Sequence, residues 1–345
     1  MKKIIKTALA SLLALSTLIA AGCGGNTVKE NADSDIASNT SNVSSEEAKT
    51  NVRIATLSGP TGIGMAQLFE LSEKGESKNN YEISIFGDPT EIVGKVANGD
   101  VDIACVPTNL AANIYKKTSG KTQLAAINTL GVLHILDATG EIKSVSNLKN
   151  KTIYATGEGS TPEYALNYVL EQNGLKVGED VNVVYKSEHS ELATLCISGQ
   201  VDIALLPEPF VTNVMTKTDR FNKALNISTE WEAVSDGTVM AMGGIIVTKE
   251  FAENNPAALE AFMKEYEASV QLTNAEPATV AALVEKHGIL PSAAVAEKAI
   301  PNCNIVFITG EEMKTAAKAF YEVLYDADPT SIGGSIPVDD LYYVK

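Results

Sequence analysis

The chain has 345 residues, 45% of them hydrophobic, enough to fill more than one core of ordinary size. Its formal charge is −16, and removing a leader that holds Lys2, Lys3 and Lys6 takes it to −19, which argues against nucleic acid or anionic lipid as a direct partner. Aromatic residues make up 6% and there is one Trp, too few for a sugar-stacking platform.

The N-terminus reads Met1-Lys2-Lys3-Ile4-Ile5-Lys6, a basic start, followed by an apolar stretch over 7–21. That stretch is shorter than the ~20 residues a membrane-spanning helix needs, so it reads as a secretory signal over 1–22. It ends Ile19-Ala20-Ala21-Gly22-Cys23, which resembles a bacterial lipobox with Ala20 where Leu is commoner. Cleavage before Cys23 and acylation of its thiol, with palmitate among the chains, are expected. Residues 23–50 are rich in Ser, Asn, Glu, Asp and Thr and poor in apolar side chains, as in a disordered tether.

Beyond the tether the chain repeats itself. Residues 97–107 read ANGDVDIACVP and residues 197–207 read ISGQVDIALLP; six of ten positions from 98 to 107 are identical at an offset of 100. The offset holds back to Val52, pairing Ala55-Thr56 with Ala155-Thr156 and Gly59-x-Thr61 with Gly159-x-Thr161. A module used twice predicts two lobes with similar loops facing each other. Copy one is expected as a strand over 52–57, a turn at 58–62, a helix to about Lys74, a strand over 82–86, a helix opened by Asp88-Pro89-Thr90 and closed at Gly99, and a strand over 101–106. Copy two follows as strands over 152–156, 181–185 and 201–206, with helices after Pro162 and over 189–197, and Gly199 as the cap. Strands alternating with helices predict α/β lobes with parallel-rich sheets and a cleft between them.

Extended runs over 122–130 and 132–136 lead into a polar stretch, where the first crossing between lobes is expected. The return is expected near 236–242, ahead of a strand over 238–247. Helices are expected over 249–253, 256–273, 275–288 and 291–299, with Pro256, Pro277 and Pro291 at or near their starts. The expected division is lobe 1 over 51–136 and 240–345 and lobe 2 over 137–239.

In open α/β sheets ligands bind beyond the carboxyl ends of strands. That rule selects Ser58, Gly59, Thr61, Gly62, Thr108, Asn109, Ser160, Thr161 and Glu208 as candidate ligand-binding residues. They offer hydroxyls, an amide, helix N-termini and one carboxylate, which suits a small polar or heterocyclic solute held by neutral groups. Neither loop pair holds Arg or Lys, so no bidentate anion clamp is visible. Glu208 can accept from an amine or ring N–H of a ligand, or stand as an acid near a helix start, where the helix dipole favours it. Trp231 and Tyr164 could stack on a ring, and His134 lies in an apolar strand as a core or lobe-junction residue.

Signatures of other chemistries are missing. There is no Gly-x-Ser-x-Gly elbow, no His-Glu-x-x-His and no clustered Cys/His set. Gly59-x-x-Gly62-x-Gly64 lacks the ending of a phosphate-binding loop. His189, in a helix-opening turn, and His287, at a helix end, read as surface residues. Cys105, Cys196 and Cys303 read as small core residues. Asp100 and Asp102 lie on a strand, with capping favoured over metal ligation. No cofactor, metal or catalytic residue is expected.

The lipobox, the segment 52–61, Gly99-x-Val101-Asp102-Ile103-Ala104 with its twin, Pro207-Glu208-Pro209-Phe210, Asn147-Leu148-Lys149-Asn150-Lys151 and the tail Val338-Asp339-Asp340-Leu341-Tyr342-Tyr343 together resemble the substrate-binding lipoproteins of ABC importers of the nitrate/sulfonate/taurine type. The resemblance runs from Val52 to Tyr343. It implies a type II periplasmic-binding fold, no enzymatic activity, a small-molecule ligand, and an ABC permease with its cytoplasmic ATPase as partner. It also implies a monomer on the extracytoplasmic face of the membrane, attached through lipid alone. The same fold hosts chorismate-dehydratase-like and thiamin-pyrimidine-synthase-like enzymes, and a tethered sensor is a further alternative. The export signal and the missing acid–base cluster favour capture.

Overall fold

Residues 49–344 are described in the computed structural model; the 1–22 leader, Cys23 and nearly all of the 23–50 tether lie outside the described residues. Copy one runs β1 (Asn51–Leu57), α1 (Pro60–Ile63), α2 (Ala66–Glu73), β2 (Asn80–Phe86), α3 (Pro89–Ala97), β3 (Ile103–Pro107), α4 (Thr108–Lys117) and β4 (Thr122–Thr129). After β5 (Leu133–Asp137), copy two runs β6 (Thr152–Thr156), α5 (Thr161–Gln172), β7 (Asn182–Lys186), α6 (His189–Ile197), β8 (Ile203–Pro207), α7 (Phe210–Lys217), β9 (Asn222–Asn226) and α8 (Ile227–Val234). The chain closes with β10 (Gly243–Thr248), α9 (Lys249–Asn254), α10 (Pro256–Ala275), α11 (Pro277–Lys286), α12 (Ala293–Ala299), β11 (Ile305–Ile308) and α13 (Gly310–Ala327).

The strands form two mixed sheets, ordered β11-β4-β10-β3-β1-β2 and β7-β6-β8-β5-β9. In the first, β1 runs parallel to β2 and β3, and β10 lies antiparallel to β3. In the second, β6 runs parallel to β7 and β8, and β5 lies antiparallel to β8. The strand that follows each copy therefore completes the sheet of the other copy. Strands β3, β8 and β10 are buried almost throughout, as strands covered on both faces must be.

This pairing corrects the expected lobe boundary. β5 pairs with β8 and β9, so the chain leaves the first sheet over residues 130–132 and not at 137–150. An apolar run such as Leu133–Asp137 does not state which sheet it will join. Gly131 suits the passage, because a Cβ there would lie 1.8 Å from Ser228 Oγ and 2.8 Å from Ser228 Cβ. The return crosses between α8 and β10, over residues 235–242.

Local chemistry explains the matched helices. Asp88 caps α3 by accepting from Thr90 N at 2.8 Å, Pro89 opens the helix, and Gly99 leaves it at φ +75°. Gly199 closes α6 at φ +74° in the same way. The recurring Asp is structural. Asp102 pairs with Arg53 at 2.6 Å and accepts from Arg53 N at 2.9 Å, while its twin Asp202 pairs with Arg220 at 2.9 Å.

Apolar residues from both sheets merge into one buried cluster that includes Val106 and Leu124 of the first, Leu133 and Leu205 of the second, and Phe320 of α13. Cys105, Cys196 and Cys303 are free thiols and all buried, as expected of core residues.

Candidate functional site

A cavity of about 450 Å³ opens between the sheets, within the usual range for small-molecule sites. Its wall is made by matched strand ends of the two copies. From the first sheet come the β1–α1 turn, the β2–α3 turn and Pro107 at the end of β3; from the second come the β6–α5 turn, the β7–α6 turn and the start of α7.

Of the nine candidates, Ser58, Gly59, Thr61, Ser160, Thr161 and Glu208 lie on this wall, whereas Gly62, Thr108 and Asn109 do not. Gly62 is a packing glycine: a Cβ there would lie 2.5 Å from Leu57 O and 3.0 Å from Ile289. Thr108 and Asn109 open α4 rather than a loop, and both are fully buried. Asn109 ties three parts of the chain together. Its Nδ2 donates to Ser331 O at 3.3 Å, and its Oδ1 accepts from Thr161 Oγ1 at 3.0 Å, linking the helix starts of α4 and α5 beneath the cleft.

Several wall residues already have partners. Thr61 Oγ1 reaches Leu57 O at 3.4 Å, and Ser160 Oγ donates to Gly157 O at 2.7 Å. Glu208 is completely buried. Its Oε2 accepts from Thr212 N at 2.9 Å and its Oε1 pairs with Lys223 Nζ at 2.7 Å. The carboxylate thus sits at the start of α7 and holds a lysine. His134, Tyr164 and Trp231 do not line the cavity. Trp231 is buried between Tyr168 and Phe320, at 4.7 and 5.3 Å between ring centroids.

The end of β7 and the start of α6 supply further wall residues that are not among the nine candidates: Tyr185, Lys186, Glu188 and His189. The signal was available, since the 100-residue offset sets 186–190 opposite 86–90, the turn that holds Asp88. His189 is not a surface residue. It lies against Phe210 with ring centroids 5.1 Å apart, and its Nδ1 meets Thr156 Oγ1 at 2.6 Å. Nε2 is then the ring nitrogen left for the cleft. Tyr185 Oη is buried without a partner, and burial pushes its phenol pKa up, with Glu163 and Glu158 adding to the shift. His287 also departs from expectation: it is mostly buried, stacks on Phe69 at 5.4 Å and meets Glu70 at 3.0 Å.

Burial holds His189 down at about 4, against about 6.5 for a free imidazole. The fold favours the neutral ring, so this contribution is complete above pH 6.5 and fades as pH falls from 6.5 towards 4. Unfolding free energies from urea titrations at pH 7.5 and 4.5 are expected to differ by about 2 kcal/mol more in the native chain than in His189→Gln. Asp137, whose carboxyl is also held low, contributes equally to both chains. Equal losses in both would mean His189 is not held neutral.

Glu70, Glu73 and His287 bring potential metal-ligand atoms within 4.8 Å of one another, but Lys286 Nζ already lies 2.5 Å from Glu70 and 2.6 Å from Glu73. An ammonium occupies the place a cation would take.

The family model for the periplasmic substrate-binding protein of the phosphonate ABC transporter matches residues 70–254, and the chain belongs to that family. Among solved structures, an ABC transporter protein from Parabacteroides distasonis is 23% identical with a TM-score of 0.72, covering 86% of this chain and 100% of its own. The periplasmic aliphatic sulphonate binding protein SsuA from Escherichia coli is 18% identical with a TM-score of 0.66, covering 81% of this chain and 88% of its own. The periplasmic nitrate-binding protein NrtA from Synechocystis is 12% identical with a TM-score of 0.58, covering 85% and 84%. These likenesses establish the type II periplasmic-binding fold. No curated protein sequence matches the chain. The family and these neighbours are transport binding proteins of the extracytoplasmic side. Among the described residues no helix is long and apolar enough to cross a membrane.

Proposed function

We propose that the protein captures a small polar or heterocyclic solute in the cleft between its sheets and delivers it to an ABC permease with its cytoplasmic ATPase. It does so as a monomer, held at the outer face of the membrane by acyl chains on Cys23. The observation that carries this reading is the cavity itself: both copies of the repeat turn their strand ends to one space of about 450 Å³. Ser58, Thr61, Ser160 and Thr161 are the proposed polar contacts, joined by Tyr185 and His189. Residues 130–132 and 235–242 are the proposed hinges, since every covalent passage between the sheets runs through them. A solute that binds the closed form more tightly than the open one would shift the balance between them.

Native mass spectrometry tests the reading. Protein incubated with a small-molecule extract of the producing cell is expected to carry one bound solute, released intact on denaturation. Protein that stays solute-free through such incubation would sink the capture reading.

A further inference from the structure

The cleft wall carries more carboxylates than cations, an unfavourable surround for an oxyanion. Helix N-termini ordinarily offer unpaired N–H groups and a positive dipole end to an anion. At α3 and α7 the protein's own carboxylates accept from such groups, whereas the N-cap residues of α1, α5 and α6 make no side-chain capping bond. Asp88 accepts from Thr90 N at the start of α3. Glu163 accepts from Gly159 N, at 2.5 Å, ahead of α5. Glu208 accepts from Thr212 N in α7. Glu188 stands at the N-cap of α6, with Glu191 in its first turn. At α4 the Thr108 N–H is given to Met242 O at 3.0 Å. Pro60, Pro89 and Pro162, at or beside the first positions of α1, α3 and α5, carry no N–H at all.

The charged side chains agree. Asp88, Glu158, Glu188 and Glu208 line the cavity against one cation, Lys186. Lys186 Nζ lies 3.5 Å from Glu191, and Glu208 is neutralised by Lys223. Glu158 and Glu188 have no ion-pair partner among the described residues, so two carboxylates remain as acceptors. The second-sheet wall adds the ring pair His189 and Phe210 and the buried, unpartnered Tyr185 hydroxyl.

We infer that the solute is an uncharged or cationic nitrogen heterocycle bearing N–H donors, its ring against His189 and Phe210 and its donors towards Glu188, Glu158 and Tyr185, and that oxyanions are rejected. This rests on the capture reading and narrows it. Carboxylates at the helix starts and along the wall give a phosphonate or sulfonate group several like charges to meet.

Calorimetry and thermal shift on the full chain would use cytosine, adenine and histamine as ring probes, and methylphosphonate, ethanesulfonate and nitrate as oxyanions. At least one ring probe is expected to bind and stabilise, with the oxyanions silent. For that probe, Tyr185→Phe should weaken binding about three- to tenfold and Glu188→Gln at least about tenfold. Glu188 is exposed, so its substitution leaves folding intact. An oxyanion binding as tightly as any ring probe overturns the inference while leaving capture standing. Silence of every ring probe overturns it too, and recovery of a bound solute from extract then keeps the two readings apart. Unchanged affinity in both variants removes the assigned contacts and the inference with them.

Discussion

Trp231→Ala is expected to cost about 3–5 kcal/mol of stability, the usual range for emptying a large aromatic site in a core. The indole is completely buried and touches Tyr168 of α5 and Phe320 of α13. Its Nε1 has no hydrogen-bond partner, so the loss is one of packing and not of a polar contact. The position matters because α8 and α5 cover the second sheet, while α13 packs against β4 of the first. Removing the ring opens a void in the one cluster the two sheets share. Trp231→Phe keeps a ring in the same space and should lose clearly less. Urea unfolding followed by circular dichroism checks both, since the only Trp is the residue removed. A loss below about 1 kcal/mol for Trp231→Ala would mean the void collapses freely, at odds with a tightly packed joint core.

The 100-residue repeat made the architecture around the cleft legible: β1 and β6, α3 and α6, and β3 and β8 all lie where the paired segments place them. The helix α13 was legible but unread, since Met313, Ala317, Phe320, Tyr321 and Leu324 recur at helical spacing on its buried side. The first crossing was not legible. β4 and β5 are both apolar extended runs, and their assignment to different sheets depends on partners elsewhere in the chain, β10 for one and β8 for the other. The site divides in the same way. Ser58, Thr61, Ser160 and Thr161 follow from a rule about strand ends. The burial of Asn109 depends on Ser331, 222 residues away, which no local pattern announces. Tyr185, His189 and Asp88 were within reach of the same rule, had it been applied to β2 and β7 as well.

Glu208→Ala is expected to lower stability by about 2–3 kcal/mol, whereas a carboxylate kept for the ligand would lower affinity and leave the apo melting temperature in place. Two losses combine: the Thr212 N–H at the start of α7 loses its acceptor, and Lys223 loses its partner. Removing one member of a buried ion pair typically costs about 3–5 kcal/mol, because the other charge is stranded. The two halves are not equal here. Lys223 keeps 30% of its side chain exposed and can turn towards water, while Glu208 is wholly enclosed and cannot. Lys223→Met should therefore cost at least as much as Glu208→Ala. Glu208→Gln should cost less than Glu208→Ala, since its amide oxygen can still accept from Thr212 N. The double variant Glu208→Gln/Lys223→Met removes both charges together. It should be more stable than the sum of its parts by about 1–3 kcal/mol, the coupling expected for residues in one hydrogen-bonded pair. Denaturant unfolding of the four chains measures that coupling directly, and strict additivity would show that the pair contributes nothing to the fold. In that case the carboxylate's place on the cavity wall would need another reason, and contact with the solute would be the first to test.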